Sequence, residues 1–307
     1  MHTQKTQQDH AADQPQPTVQ QKPKSQPKGQ VPYRTREGKL GPIQSKQGRK
    51  PPIRAKQRPV IRNKKKPASQ EGLFDRYYDE AGNYLFDDDK KTDAVKIVSK
   101  AKLEAALKNK GGLEYLYDET KGSVQEKLKI LQQCAVGLQE ADLSARAYSR
   151  VYTDILEKAG YDMLDVKGEA VSVRKGKDQY NNPSDRPYAS TSVNGAPFRM
   201  SVNQESDDAK TELTTVANIV NALGAHEYTG HGMKHYKDAN HDHRKAYETQ
   251  FNHPSWESTT PFFKYRAYKR YKIYLIKENQ SPEKIREADR LIQYYYNEYK
   301  KEKQEDK

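Results

Sequence analysis

The chain has 307 residues, and its net charge of +13 at first suggests a nucleic-acid ligand. The charge is concentrated, however, because residues 1–70 contain 17 of the 55 Lys and Arg and only three of the 42 acidic residues. Residues 71–307 carry 38 basic and 39 acidic side chains, which argues against a phosphate-binding surface there. The single cysteine, Cys134, excludes an intrachain disulfide and a cysteine-based zinc site.

The first 70 residues also hold ten of the sixteen prolines and few large apolar side chains. Such a segment cannot bury enough surface to offset its ordering entropy, so it is predicted to be a disordered basic tail. It is interpreted as a linker or as a docking segment for a secretion apparatus or an acidic surface. No apolar run reaches membrane-spanning length, and the N-terminus lacks the apolar core of a secretory signal. We therefore expect a soluble protein made in the cytoplasm, with any export following a contact-dependent route.

Residues 71–307 are expected to form one α+β domain, mostly helical and zincin-like with small β-hairpins. Its expected parts are a small N-terminal lobe at 71–115 and a catalytic core at 116–307. The spacing of apolar and turn-forming residues predicts, in chain order, a β-hairpin at 73–86, helices at 94–109, 123–138 and 141–158, strands at 161–173, 188–193 and 197–202 around Asn194-Gly195, and helices at 209–235, 241–252, 262–278 and 282–303.

Six of the eight histidines lie between positions 226 and 253, and this stretch opens with His-Glu-Tyr-Thr-Gly-His. Imidazole is the commonest metal ligand, and a Glu after the first His is where a metalloprotease keeps its general base. On an ideal α-helix, His226 and His231 would lie about 140° apart and could not share an ion. A π-bulge restores a common face, so a helical irregularity is predicted between Tyr228 and His231, where Gly230 eases a loosened turn.

Two imidazoles need at least one further ligand. Glu248 on the next predicted helix is the preferred candidate, because antiparallel packing of the two helices would bring it over the site. Zn²⁺ is the expected ion, with one position left to water and with Glu227 as the general base. Other candidate ligands stay open, as does the group that stabilises the oxyanion, for which His243, His253 or a Tyr could serve. The competing ligands are His235, which forms an i,i+4 pair with His231, and His241, Asp242 and His243.

Residues 226–232 resemble the His-Glu-x-x-Gly-His-Gly motif of the dipeptidyl peptidase III family of zinc peptidases. That family also spaces its histidines five apart and uses a Glu from a later helix. A broader similarity, over about 210–265, is to C-terminal domains of bacterial polymorphic toxins and secreted effectors. It is carried by Asn-Ile-Val-Asn (218–221), Ala-Tyr-Glu-Thr-Gln (246–250) and His-Pro-Ser-Trp (253–256), and Tyr-Asp-Glu-Ala-Gly-Asn (78–83) is similar to linkers that precede such domains. The resemblance implies metal ligands at His226, His231 and Glu248, with Glu227 as base.

The preferred hypothesis is a zinc-dependent peptidase or amidase of the bacterial effector type. Its substrate would be a peptide or protein, cell-wall peptide included, and an immunity protein and a secretion apparatus would be its partners. One alternative is a metal-dependent nuclease toxin that uses a His/Asn/Asp cluster at residues 240–243 together with His253. Another is a non-catalytic binding protein in which metal serves only for stability.

Overall fold

The computed structural model describes residues 74–88, 92–166, 171–174, 188–192, 197–237 and 241–305. The predicted tail lies outside this part, and the described residues confirm a mixed α+β fold. The elements, in chain order, are β1 (Asp75–Asp79), β2 (Tyr84–Asp88), β3 (Val95–Val98), α1 (Lys100–Leu107), α2 (Glu114–Tyr117), α3 (Val124–Cys134), β4 (Ala135–Gly137), α4 (Ala145–Lys158), β5 (Ser172–Arg174), β6 (Ala189–Ser192), β7 (Arg199–Asn203), α5 (Asp207–Glu212), α6 (Val216–Ile219), a π-helix (Val220–Met233), α7 (Arg244–Phe251), α8 (Pro261–Lys277) and α9 (Pro282–Glu305).

The first sheet has the strand order β2-β1-β3-β4 and contains the predicted hairpin. At its turn, the Asp79 carboxylate accepts hydrogen bonds from the backbone N–H groups of Ala81 and Asn83, at 2.9 and 2.8 Å. Gly82 takes a positive φ of 77°, a conformation that glycine adopts without steric cost. The hairpin prediction is therefore confirmed.

Two predicted helices are shorter in the structure because strands form at their ends. β3 replaces the start of the helix predicted at 94–109, and β4 replaces the end of the one predicted at 123–138. The β3 segment is mostly β-branched, and it gains hydrogen bonds by pairing parallel to β1 and antiparallel to β4. Long-range pairing outweighs local helical spacing at these two positions.

The first sheet separates two clusters of buried apolar side chains. Tyr77 and Phe86 belong to the cluster covered by α1 and α3, whereas Tyr78 and Ile97 belong to the cluster that includes α4. The first of these clusters continues past the predicted lobe boundary at residue 115 and reaches Cys134. The second cluster also contains the second sheet and the helices that carry the histidines.

The second sheet has the order β5-β7-β6, and β6 and β7 pair antiparallel as predicted. The turn predicted at Asn194-Gly195 lies outside the described residues. Among the described residues of the strand predicted at 161–173, β5 forms a strand from Ser172 onwards. Residues Met163–Asp165 form a 3-10 turn because the Asp162 carboxylate accepts the Leu164 N–H at 3.0 Å.

The helix predicted at 209–235 is divided, and its second part is fixed to the first sheet. After α5 ends, Thr215 caps α6 by accepting the Asn218 N–H at 3.1 Å. Asp93 accepts the N–H of Val216 through its carbonyl at 2.9 Å and that of Ala217 through its carboxylate at 2.5 Å. The backbone that leads into the π-helix is therefore positioned by a residue from the β2–β3 connection.

The last two helices, α8 and α9, match their predicted positions and pack along a stripe of tyrosines. The rings of Tyr268 and Tyr295 are stacked at a centroid distance of 5.7 Å, and Tyr265 lies 5.3 Å from Tyr296. In the part of the chain that the structure describes, no helix combines the length and apolar character needed to cross a bilayer.

Asp93 should make the stability of the fold depend on pH. Its burial raises the pKa of its carboxyl to about 6, although the N–H of Ala217 lowers it. The unfolded chain releases this proton near pH 3.9, so the folded state binds it more tightly and loses stability as pH rises from about 4 to 6. The loss amounts to about 3 kcal/mol. Asp93→Asn keeps an acceptor and tolerates the positive φ of 56°.

The measurement is urea unfolding of wild type and Asp93→Asn between pH 4 and 7. As the pH rises across this interval, the unfolding free energy of wild type should fall relative to that of Asp93→Asn. Parallel curves for the two proteins would contradict the assigned pKa.

Candidate metal centre

The π-helix places His226 and His231 on one face. Its five-residue register is seen in the hydrogen bonds from the Lys234 N–H to the Thr229 carbonyl and from the Thr229 hydroxyl to the Gly224 carbonyl, both 3.0 Å. Side chains five residues apart therefore lie one turn apart. The two Nε2 atoms are 3.2 Å from each other. The predicted irregularity is confirmed, and it extends over Val220–Met233 rather than one turn.

Gly230 allows the next helix to approach closely. A Cβ atom at this position would lie 2.9 Å from the Cβ of Ala246 on α7, a distance that real Cβ contacts do not show. Glycine at 230 and alanine at 246 thus bring the two helix backbones together. This approach carries His243, the residue before α7, towards the histidine pair.

His243 completes a group of three histidines. One ligand nitrogen from each of His226, His231 and His243 can be chosen so that all lie within 4.8 Å of one another. The His243 ring is 4.5 Å from that of His231, and it stacks on Tyr274 with a centroid distance of 4.1 Å. Within the described residues, these three histidines form the group of potential ligand side chains that lie close enough together to hold a metal ion.

The structure does not bring Glu248, the preferred third ligand, into this group. The Glu248 carboxylate pairs with Arg244, one helical turn earlier, and accepts the Tyr271 hydroxyl at 3.1 Å. Its side chain is 37% exposed. Because α7 buries Ala246, Tyr247 and Gln250 instead, Glu248 lies on another face of the helix. His243 takes the place that the sequence analysis gave to a carboxylate.

The other candidate residues lie away from the group or are bonded elsewhere. His235 and His241 are exposed and have positive φ angles of 57° and 53°. The Asp242 carboxylate accepts the Lys237 N–H at 2.6 Å. Both ring nitrogens of His253 face hydroxyl groups, that of Tyr161 at 3.1 Å and that of Ser255 at 2.8 Å.

The partners of the two Nδ1 atoms determine which nitrogens can bind metal. The His231 Nδ1–H donates to the Tyr236 backbone carbonyl, and His226 Nδ1 faces the Gln250 side-chain oxygen at 3.0 Å. Carbonyl oxygens only accept, so the protons reside on Nδ1 and the facing Nε2 atoms carry lone pairs. Two lone pairs at this distance are stabilised when a proton or a metal cation lies between them. Two Zn–N bonds in tetrahedral geometry separate their nitrogens by about 3.4 Å, close to the spacing here.

Glu227 is buried beside the histidines without belonging to the group. Its carboxylate accepts the Thr191 hydroxyl of β6 at 2.8 Å. Burial raises the pKa of Glu227, although the proximity of His231 and the bond from Thr191 lower it. Burial, and then the neighbouring His231 and His243, hold the pKa of His226 well below its usual range. The centre therefore combines a His226 imidazole of lowered proton affinity with a Glu227 carboxylate of increased proton affinity.

Tyr247 borders the centre and Tyr188 packs against Arg270, and the sequence analysis identified neither. The Tyr247 ring meets the His226 ring edge to face at 4.4 Å, and the Arg270 guanidinium lies 5.2 Å from the centre of the Tyr188 ring. Burial raises the pKa of both hydroxyls, and the Glu227 carboxylate adds to it. Tyr247 follows His243 by four residues, a helical spacing that would have indicated a shared face.

Comparison of the chain with protein-family models, curated proteins and solved structures gave no match. The resemblance to peptidase and effector motifs therefore stays a hypothesis.

Metal binding should depend on His243 and not on Glu248 or His235. His243→Asn is expected to weaken zinc binding by at least about 100-fold, since one of three protein ligands is lost. Glu248→Gln should retain the metal because its carboxylate is bonded to Arg244. His235→Asn is the matched control, since Asn tolerates its positive φ. Zinc affinity is measured by competition with a chelator. Equal losses in His243→Asn and His235→Asn would contradict the three-histidine group.

Close packing at Gly230 should also control metal affinity. Gly230→Ala places a methyl group against Ala246, so α7 must move and His243 with it. Zinc affinity should fall by about tenfold or more, and the double variant Gly230→Ala/Ala246→Gly should recover much of it. The same competition assay measures both. Wild-type zinc affinity in Gly230→Ala would show that the helix contact does not position His243.

Proposed function

We propose that this chain is a zinc-dependent hydrolase of amide bonds, a peptidase or an amidase. His226, His231 and His243 would hold the ion, and Glu227 would be the general base. The observation that carries the proposal is the pair of Nε2 atoms facing each other at 3.2 Å beside a buried carboxylate. Three imidazole donors, two of them with nitrogens spaced much as in a tetrahedral zinc site, favour zinc over Mg²⁺ or Ca²⁺, which prefer oxygen ligands.

In the proposed reaction, the zinc ion and the Glu227 side chain have separate roles. When bound, zinc supplies a Lewis acid that acidifies water and polarises a carbonyl group. Glu227 accepts a proton from the attacking water while the new C–O bond forms and the C=O π electrons move to oxygen. The C–N bond then breaks as the carbonyl reforms, and the Glu227 proton passes to the departing nitrogen. Burial supports this role because it increases the affinity of Glu227 for the proton.

The contacts of the other histidines weigh against the nuclease alternative. His243 lies in the group with His226 and His231, and both ring nitrogens of His253 are engaged by Tyr161 and Ser255. Asn240 of that alternative lies outside the described residues. The motif resemblance further motivates a bacterial effector role, with a protein or cell-wall peptide as substrate, an immunity protein as partner and residues 1–70 as the segment for a secretion apparatus.

Glu227→Gln tests the proposal and separates it from a purely structural metal site. The variant should keep its zinc, because Glu227 is not a ligand, while hydrolysis falls by about 10²–10⁴-fold. The assays are zinc content by mass spectrometry and the release of new amines from denatured casein and from purified cell-wall peptides. Glu248→Gln makes the same chemical change on α7 and should leave both readouts unchanged.

Two results would contradict the proposal. Loss of zinc together with activity in Glu227→Gln would mean that Glu227 is a ligand. A wild-type protein that holds zinc but cleaves neither substrate class would favour the non-catalytic alternative.

A further inference from the structure

Tyr247 is enclosed by the candidate metal centre. It is buried on α7, with its ring 4.4 Å from that of His226 at an angle of 67° and 5.6 Å from that of His243 at 25°. These two contacts, with ligands from two different elements, fix the plane of the phenol.

The Tyr247 hydroxyl differs from its neighbours in having no hydrogen bond to any of the residues that the structure describes. The Tyr271 hydroxyl, in the same aromatic cluster, donates to Glu248 at 3.1 Å, and the Tyr228 hydroxyl donates to the Asp162 carbonyl at 3.2 Å. Tyr247 is 7% exposed and its hydroxyl is not sealed from solvent, so a ligand can reach it and supply a hydrogen-bond partner.

Charged groups near this hydroxyl are already committed to other partners. Glu227 and Arg270 are both close enough to influence it. The Glu227 carboxylate accepts the Thr191 hydroxyl, and Arg270 donates to Glu212 at 2.6 and 2.8 Å and to Asp208 at 2.8 Å. Neither Glu227 nor Arg270 therefore bonds to the Tyr247 hydroxyl.

We propose that the Tyr247 hydroxyl donates a hydrogen bond to the carbonyl oxygen of the substrate's scissile amide and stabilises the charge which that oxygen gains when water adds. This assignment rests on the proposed function and identifies its oxyanion-stabilising residue. Of the groups that the sequence left open for this task, His243 lies in the ligand group and His253 has both ring nitrogens engaged. A donor placed where charge develops contributes most in a site that excludes water.

The test uses the full chain loaded with Co²⁺, whose visible absorption reports ligands at the metal, and acetohydroxamate as the probe. The probe presents an anionic oxygen and a carbonyl oxygen, so it resembles the charged stage of amide hydrolysis. Tyr247→Phe retains the ring contacts and removes only the donor. It should bind Co²⁺ normally and bind acetohydroxamate about tenfold more weakly than wild type. Tyr271→Phe, the matched control, should bind the probe like wild type because its hydroxyl is bonded to Glu248.

The outcomes distinguish the role of the Tyr247 hydroxyl from the existence of the metal centre. Equal probe affinity in Tyr247→Phe and wild type, with cobalt bound in both, would overturn the assignment and leave the metal centre intact. A Tyr247→Phe chain that loses cobalt would overturn it as well, since the hydroxyl would then support the site itself. Failure of wild type to bind cobalt would overturn the metal centre and the assignment together.

Discussion

The five-residue register of the π-helix is the constraint on which the site depends. π-Helices are rare and are mostly a single turn long. A run from Val220 to Met233 therefore has to be stabilised by its surroundings. Asp93 accepts hydrogen bonds from two backbone N–H groups in the segment that leads into the π-helix. Within the π-helix, α7 packs against Gly230. The register in turn decides which side chains meet. With α-helical geometry, His226 and His231 would point in directions about 140° apart.

The sequence predicted the parts of the fold that depend on local chemistry. The first hairpin follows from the Asp79 turn, and α8 and α9 follow from apolar spacing with a proline at each start. It did not predict β3 or β4, because their pairing involves strands that are distant along the chain. Local pattern also indicated a helical irregularity but could not set its extent, which depends on packing against α7 and β6.

The candidate site was likewise predicted only in part, and the predicted part is the one that depends on local sequence. The motif itself indicated His226, Glu227 and His231, because their spacing is a local property. The third member of the group depends on how α7 packs against the π-helix. The sequence analysis favoured Glu248 because antiparallel packing of the two helices would bring it over the site. In the structure, Arg244 lies one turn before Glu248 and pairs with it, while His243 stands at the helix start nearest the pair. An i,i+4 ion pair on one helix face and the close approach at Gly230 together determine that His243, and not Glu248, lies with the histidine pair.

Burial gives the histidine group a role in stability as well as in chemistry. His226 and His231 are each 8% exposed, and their Nδ1 protons are committed to Gln250 and Tyr236, so water cannot easily separate their facing lone pairs. A cation that binds this arrangement binds the folded chain far better than the unfolded one, in which residues 226 and 243 are not held together. Metal affinity and folding free energy are therefore linked through the same π-helix. The contacts that preserve its register, at Asp93 and at Gly230, act on both quantities at once.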